Sequence, residues 1–485
     1  MKVGQTSLVV FFSQVLGSAL GFIATLYFAR VLGAEVIGIY TLIMTVVAWL
    51  LLTADLGVGK ALIKRISENE EKGEYLSVGI ILTLSIGLFL SIFVLLFRAS
   101  LEHYISDFDQ YISLSVVWFI LVILVTGLFY RFILRILKGE HKVHIAGLLG
   151  PVQIGVQSLI QIVLVVIGFE LLGMLLGYVI GGILIGIIGL YWVTVRPVQP
   201  AKKHFRGVID YAKFSWLGGL KSRTFNDIDI IILGFFVSSS LVGIYAIAWS
   251  IAKFLKLFSN AISSALFPEI SYKSTQDSNL AATGLIEDSL AYNGLIAIPG
   301  LVGSILLSDR LLRLYGPEFI QGSTVLVLLI LGIVLYTYLK QFLNALNGLN
   351  RPDLAFRING VFIILNTGLN VILIWQFSIV GAAIASVISV IITLAIAYRF
   401  VSQIVSFDTP LGEIGRQCVA ALAMGGVVWS GLYGIESTAV IQHNATIVLL
   451  LVGIGAAFYF TTLLGISSRF RKTVDRNLPV DLPLI

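Results

Sequence analysis

The sequence is short of charge. Of its 485 residues only 12% are Asp, Glu, Lys or Arg, where soluble chains carry about 25%. Cysteine occurs once, at Cys418, which excludes an intrachain disulfide. The five histidines offer a single close pair, His141 and His144. No Cys or carboxylate cluster accompanies that pair, so no metal site is expected. The Gly-rich lysine loop of nucleotide-driven pumps does not occur, so the energy source is sought elsewhere. The ten-residue alternation that marks membrane barrels is missing too.

What the chain has in abundance is apolar sequence. Hydrophobic residues make up 58% of it, and the mean hydropathy is +0.99. Roughly 20 apolar residues carry a helix across a bilayer, and runs of that length fill most of the chain. They predict fourteen transmembrane helices between residues 6 and 466, among them 6–30, 36–56, 212–236, 240–266, 355–376 and 379–400. The first run is longer than the 7–15-residue apolar region of a signal peptide, so it is read as a span. Most of the 32 Lys and Arg gather in alternate loops once the N-terminus is placed in the cytoplasm, which puts both termini there. The net charge of +6 is then a signal of topology, and nucleic-acid binding is not expected. The stretch Pro200–Phe214 mixes basic and apolar residues and reads as a segment lying along the inner interface.

The chain also repeats itself. Gly38-Ile39-Tyr40 returns as Gly243-Ile244-Tyr245, an offset of 205. Ala61–Ser67 pairs with Ala265–Ser271 at 204, Leu137–Lys142 with Leu346–Arg351 at 209, and Phe169–Ile180 with Phe377–Ile388 at 208. Four weak matches in one order at one drifting offset mark an internal duplication. The offset spans six helices, an even number, so equivalent helices run the same way and the repeat is parallel. The expected architecture is all-α: two six-helix bundles followed by two further helices. Residues 1–197 would form an N-lobe, 198–213 an interfacial linker, 214–405 a C-lobe, and 406–485 helices thirteen and fourteen with a tail. Two such lobes would enclose a central cleft.

The strings Arg30…Gly33…Gly38-Ile39-Tyr40 and Asp229…Leu233-Gly234…Gly243-Ile244-Tyr245, with the fourteen helices and the duplication, resemble the polysaccharide flippase branch of the multidrug/oligosaccharidyl-lipid/polysaccharide exporter superfamily. The resemblance runs over essentially the whole chain. It implies a non-enzymatic transporter of the cell membrane that flips a polyprenyl-linked sugar by alternating access. The glycosyltransferases or polymerase of the same pathway would be its partners. It implies no cofactor, and a gradient of Na+ or H+ is one source of drive. The multidrug branch, which exports amphipathic cations, is the competing reading.

Charges within the spans are the candidate site residues, because a charge at mid-bilayer costs at least about 2.5–3.5 kcal/mol and is kept for a purpose. Lys221 and Arg223 on helix seven would receive a substrate phosphate, with Lys253, Lys256 and Lys60 completing a basic wall. A local Arg223–Asp227 pair and snorkelling lysines are the bland readings. Asp229, Asn366, Asn370 and Ser386 offer hard oxygen ligands for ion coupling. Interhelical hydrogen bonding is the plain alternative for that set. Arg131 and Arg135 at the inner end of helix four read as snorkelling, and Asp55 as a charge near Lys60.

Overall fold

The computed structural model describes residues 3–55, 57–68, 71–215, 217–256, 279–438 and 442–477. Side chains are described for these except at 3–12, 14–15, 213–226, 279–282 and 476–477. Regular structure among the described residues is helical throughout. Ten stretches are long and apolar enough to cross a bilayer. Two of these hold a pair of crossings each. Leu16–Asp55 is broken at Gly33 into helices one and two, and Pro352–Ile404 at Ser378 into helices eleven and twelve. Helix seven, Leu217–Phe236, and helix eight, Ser239–Phe254, complete the fourteen. The protein is thus an all-α integral membrane protein. Lys221, Arg223, Asp227 and Asp229 interrupt the apolar run of helix seven.

The turn expected at Gly33–Tyr40 shrinks to a single residue. Gly33 takes φ 81°, ψ 176°, and helix two runs on directly from it. Glycine reaches this extended, positive-φ backbone without a Cβ penalty.

The duplication is written into the backbone. Four non-glycine residues have positive φ among the described ones: His141 (61°), Glu170 (42°), Asn350 (57°) and Ser378 (55°). They form two pairs at the repeat offset, His141 with Asn350 and Glu170 with Ser378. The first pair ends helix four, Val116–Gly139, and helix ten, Ser323–Gly348, in the same way. The Lys142 N–H donates to the Leu137 carbonyl at 2.8 Å, and the Arg351 N–H to Leu346 at 2.8 Å. Both are left-handed C-caps that satisfy otherwise orphaned helix carbonyls. Equivalent strain at equivalent positions is evidence for the repeat that is independent of side-chain identity.

By internal contacts the chain divides into two compact units, Met1–Gly243 and Ile244–Ile485. In the first, helix two ends at Asp55 and resumes after Gly57 (φ 81°) as an extension helix, Val58–Glu68. The interfacial linker is itself a helix, Lys202–Ser215. Its apolar face is covered by the chain: Val208 and Ala212 pack with Ala61, Leu62, Ile66, Tyr75 and Val78. Arg65 Nε donates to the Gly207 carbonyl at 3.2 Å, and Lys64 lies 4.9 Å above the Tyr211 ring. The second unit is centred on helices nine (Asn279–Arg313), ten (Ser323–Gly348), thirteen (Leu411–Thr438) and fourteen (Asn444–Ile466). Their core gathers Ala297, Ala420, Met424, Leu451 and Tyr459. A tail helix, Ser468–Asn477, closes one end through the Arg469–Asp288 ion pair and a 2.5 Å hydrogen bond from Ser467 to buried Glu413.

Candidate functional site

Helix eight carries Trp249 and Lys253 at i and i+4, on one face, and Lys256 follows just beyond the helix end at Phe254. Trp249 is almost fully buried, so its indole is a fixed platform. The Lys253 ammonium stands 5.1 Å from the Trp249 ring centroid, and that of Lys256 stands 5.2 Å away. Lys256 also lies 5.0 Å from the ring of Tyr336 on helix ten. Lys340 follows Tyr336 by four residues and shares its face. Two helices of the second unit therefore bring lysines and aromatic rings together. Cation–π contacts of this kind are worth about 0.5–2 kcal/mol each, the more so when desolvated. They hold the ammonium groups in place at low entropic cost. Such an arrangement can neutralise a phosphate while the rings offer flat apolar surface.

Lys253 and Lys256, expected from the sequence, thus lie within this cluster, partly buried. Trp249, Tyr336 and Lys340 were not anticipated. A signal for them exists: each lysine-bearing helix places an aromatic residue one turn before its lysine, Trp249 before Lys253 and Tyr336 before Lys340.

The other expected basic residues belong to the first unit. Lys60 is exposed on the first turn of the extension helix. Lys221 and Arg223 lie on helix seven, with side chains outside the described residues. Arg135 does not snorkel. Its side chain is 15% exposed and pairs with Asp55 at 3.0 Å. Asp55 also accepts from the Gly59 N–H at 2.9 Å, so one carboxylate joins helix four to the break in helix two.

Of the four ion-coupling candidates, three meet in the second unit. Asn366 Nδ2 donates to Ser386 Oγ at 3.2 Å, and Asn370 Nδ2 to the Asn366 carbonyl at 2.8 Å. Both asparagines are fully buried, and the first bond bridges helices eleven and twelve across the Ser378 break. Asp229 is buried on helix seven and belongs to the first unit. Asn444, the first residue of helix fourteen, donates from Nδ2 to the Arg310 carbonyl at 2.8 Å. No group of three or more His, Cys, Asp or Glu side chains suited to a metal occurs among the described residues.

Comparison with known proteins identifies the scaffold. The family model described as "polysaccharide biosynthesis protein" matches residues 3–273, more than half of the chain, and the MatE model matches 223–372. The probable flippase AglR of Haloferax volcanii is 33% identical over 486 residues, covering 99% of either chain. The probable low-salt glycan biosynthesis flippase Agl15 of the same organism is 28% identical over 480 residues, again 99% of each. Among solved structures, the lipid II flippase MurJ in its inward closed conformation superposes with a TM-score of 0.75 over 97% of this chain and 99% of that one. At 18% identity that likeness bears on the fold. The chain belongs to the polysaccharide biosynthesis family of flippases within the multidrug/oligosaccharidyl-lipid/polysaccharide exporter superfamily, and it is a membrane transporter and not an enzyme.

Proposed function

We propose that the protein moves a sugar or oligosaccharide, linked to a polyprenyl phosphate or diphosphate, from the inner to the outer leaflet of the cell membrane. It does so by alternating access, with both termini in the cytoplasm, and supplies cell-surface polysaccharide or glycoprotein assembly. The observation that carries this reading is the lysine–aromatic cluster of Trp249 and Lys253 on helix eight, Lys256 just beyond its end, and Tyr336 on helix ten. Lysines held among aromatic rings suit an anionic head group, and aromatic faces suit the apolar face of a sugar ring. Lys221 and Arg223 of helix seven and Lys60 would add positive charge for the same phosphate. The name of the Haloferax relative Agl15, a probable low-salt glycan biosynthesis flippase, supports a glycan-linked substrate.

The MatE match over residues 223–372 keeps a second reading in view, a cation-coupled exporter of amphipathic cations. The sign of charge separates the two, since a cationic cargo calls for carboxylates where this cluster has lysines.

The test uses purified protein in vesicles loaded with a fluorescent polyprenyl-linked sugar. Lys253→Gln with Lys256→Gln is expected to slow transfer at least tenfold with unchanged folding, and Arg223→Ala to block surface glycan export in cells. Wild-type transfer in both variants at normal expression would reject the basic-site reading.

A further inference from the structure

Between helices three (Lys72–Leu96) and four (Val116–Gly139) lies a short element to which the sequence assigns no role. It consists of the helix Arg98–Tyr104 and the 3-10 turn Ser106–Gln110. It is built as a strap. One side is rooted in the first unit. Ile105 and Phe108 are fully buried, and Phe108 packs on Phe119 with centroids 5.5 Å apart. Glu102 accepts from Ser115 Oγ at 2.6 Å and from Arg98 Nε at 2.8 Å. These two bonds hold its carboxyl below the usual carboxylate range, the Ser115 bond contributing most.

The other side of the strap holds helix seven and the first residue of helix eight, within the same unit. The Tyr104 hydroxyl donates to the Ile231 carbonyl at 2.9 Å, and its ring stacks obliquely on Phe235 with centroids 4.5 Å apart. Gly234 lies directly beneath: a Cβ there would collide with the Tyr104 hydroxyl. Three residues further along the strap, Asp107 accepts from Ser239 Oγ at 2.6 Å. Ser239 opens helix eight, where a carboxylate also meets the positive end of the helix dipole. One short element therefore grips the chain on both sides of the break at Val237–Ser238. The gripped helix carries Lys221, Arg223 and Asp229.

We infer that Tyr104 and Asp107 are positioning residues for transport: they hold the junction of helices seven and eight in one station, and they must release it for that end to open. The inference rests on the flippase reading only for why the junction moves. Each hydrogen bond is a modest bias, so its removal shifts a two-station equilibrium and leaves the fold in place.

The experiment reads station and not transport. In a Cys418→Ser background, Val242→Cys places a reporter at a fully buried position of helix eight next to the junction. Leu62→Cys places a control at a buried position of the extension helix. Labelling by a membrane-impermeant maleimide is followed from either side of sealed vesicles. Tyr104→Phe and Asp107→Asn are each expected to raise Val242→Cys labelling roughly three- to tenfold from one side and to leave Leu62→Cys unchanged. Equal rises at both positions would mean general loosening, and no rise at Val242→Cys would mean no strap. Either result overturns the inference. If the reporters perturb folding, amide exchange across residues 228–243 in cysteine-free protein replaces them. Faster exchange confined to that stretch in the two variants is expected, and unchanged exchange overturns the inference. Because no substrate is present, failure of the flippase reading would leave this outcome untouched.

Discussion

The repeated Gly-Ile-Tyr triplets meet at their glycines. A Cβ on Gly38 would collide with the carbonyl oxygen of Ser239, and a Cβ on Gly243 with the carbonyl oxygen of Ala34. Ser239 and Ala34 are themselves related by the repeat offset of 205, so the contact is reciprocal, as across a two-fold axis. Both atoms are backbone, which cannot swing aside as a side chain can. Gly38→Ala and Gly243→Ala should each destabilise the protein by about 1–3 kcal/mol or more, the cost of overpacking. Gly453 is the matched control, a helical glycine with open space around it. Gly453→Ala should be neutral or stabilising by up to about 1 kcal/mol. Thermal unfolding in one detergent compares the three. A Gly38→Ala protein that melts with the wild type would mean that the helices part at no cost, and the reciprocal contact would lose its meaning. The triplet was legible in the sequence as a mark of the repeat. The pairing was not, because a glycine spaced for close approach looks the same as one spaced for a turn until its neighbour is known.

At the scale of elements, the linker helix shows how far an amphipathic pattern reaches. Residues Lys202–Ser215 have one apolar and one basic face, a pattern that fits a lipid surface as well as a protein groove. The structure gives the apolar face a protein partner, the extension helix Val58–Glu68, and fixes the start of the linker through Glu71. Lys203 Nζ donates to Glu71 at 2.5 Å, and His204 Nε2 meets the other carboxylate oxygen at 3.1 Å. The Ala201 N–H donates to His204 Nδ1 at 2.9 Å, which leaves Nε2 as the nitrogen that donates to Glu71. Hydrogen bonds from Lys203 and then His204 hold the Glu71 carboxyl below its ordinary range. A depressed carboxyl pKa contributes to docking above the ordinary carboxylate range and loses that contribution as pH falls through the depressed value. Amide protection factors of residues 202–210, which correct for the intrinsic pH dependence of exchange, should therefore fall on acidification below that range in the wild type. In Glu71→Gln they should be low already at neutral pH and indifferent to acid. Equal protection in the two proteins at pH 7 would show that the apolar face alone docks the helix. Helix number and order were readable because bilayer length imposes itself on every span. The strap, the Gly33 break and the linker's partner were not, because each depends on contacts between residues far apart in sequence.

For the whole molecule the open question is what drives it. Of the oxygen-bearing set proposed for an ion, Asn366 and Ser386 already hydrogen-bond to each other, which serves to join helices eleven and twelve. The carboxylate of the set, Asp229, lies on helix seven two residues before Ile231, the carbonyl that Tyr104 holds. A buried carboxylate there can accept a proton or a cation, and either event changes the charge of the helix that the strap positions. A tenfold sodium gradient or one unit of pH supplies about 1.4 kcal/mol per ion, enough to change a rate severalfold if the ion moves with the cycle. Transfer of a polyprenyl-linked sugar in sealed vesicles should therefore respond to one of the two gradients, and Asp229→Asn should remove the response while leaving downhill transfer. Asn366→Ala separates the roles within the set. If the amide only joins the helices, the variant melts earlier and keeps its gradient response. If it contributes to the ion, the response weakens by the same route as in Asp229→Asn. Wild-type transfer indifferent to both gradients would exclude coupling through this carboxylate and leave the substrate's own gradient, or the membrane potential acting on its charge, as the driving force.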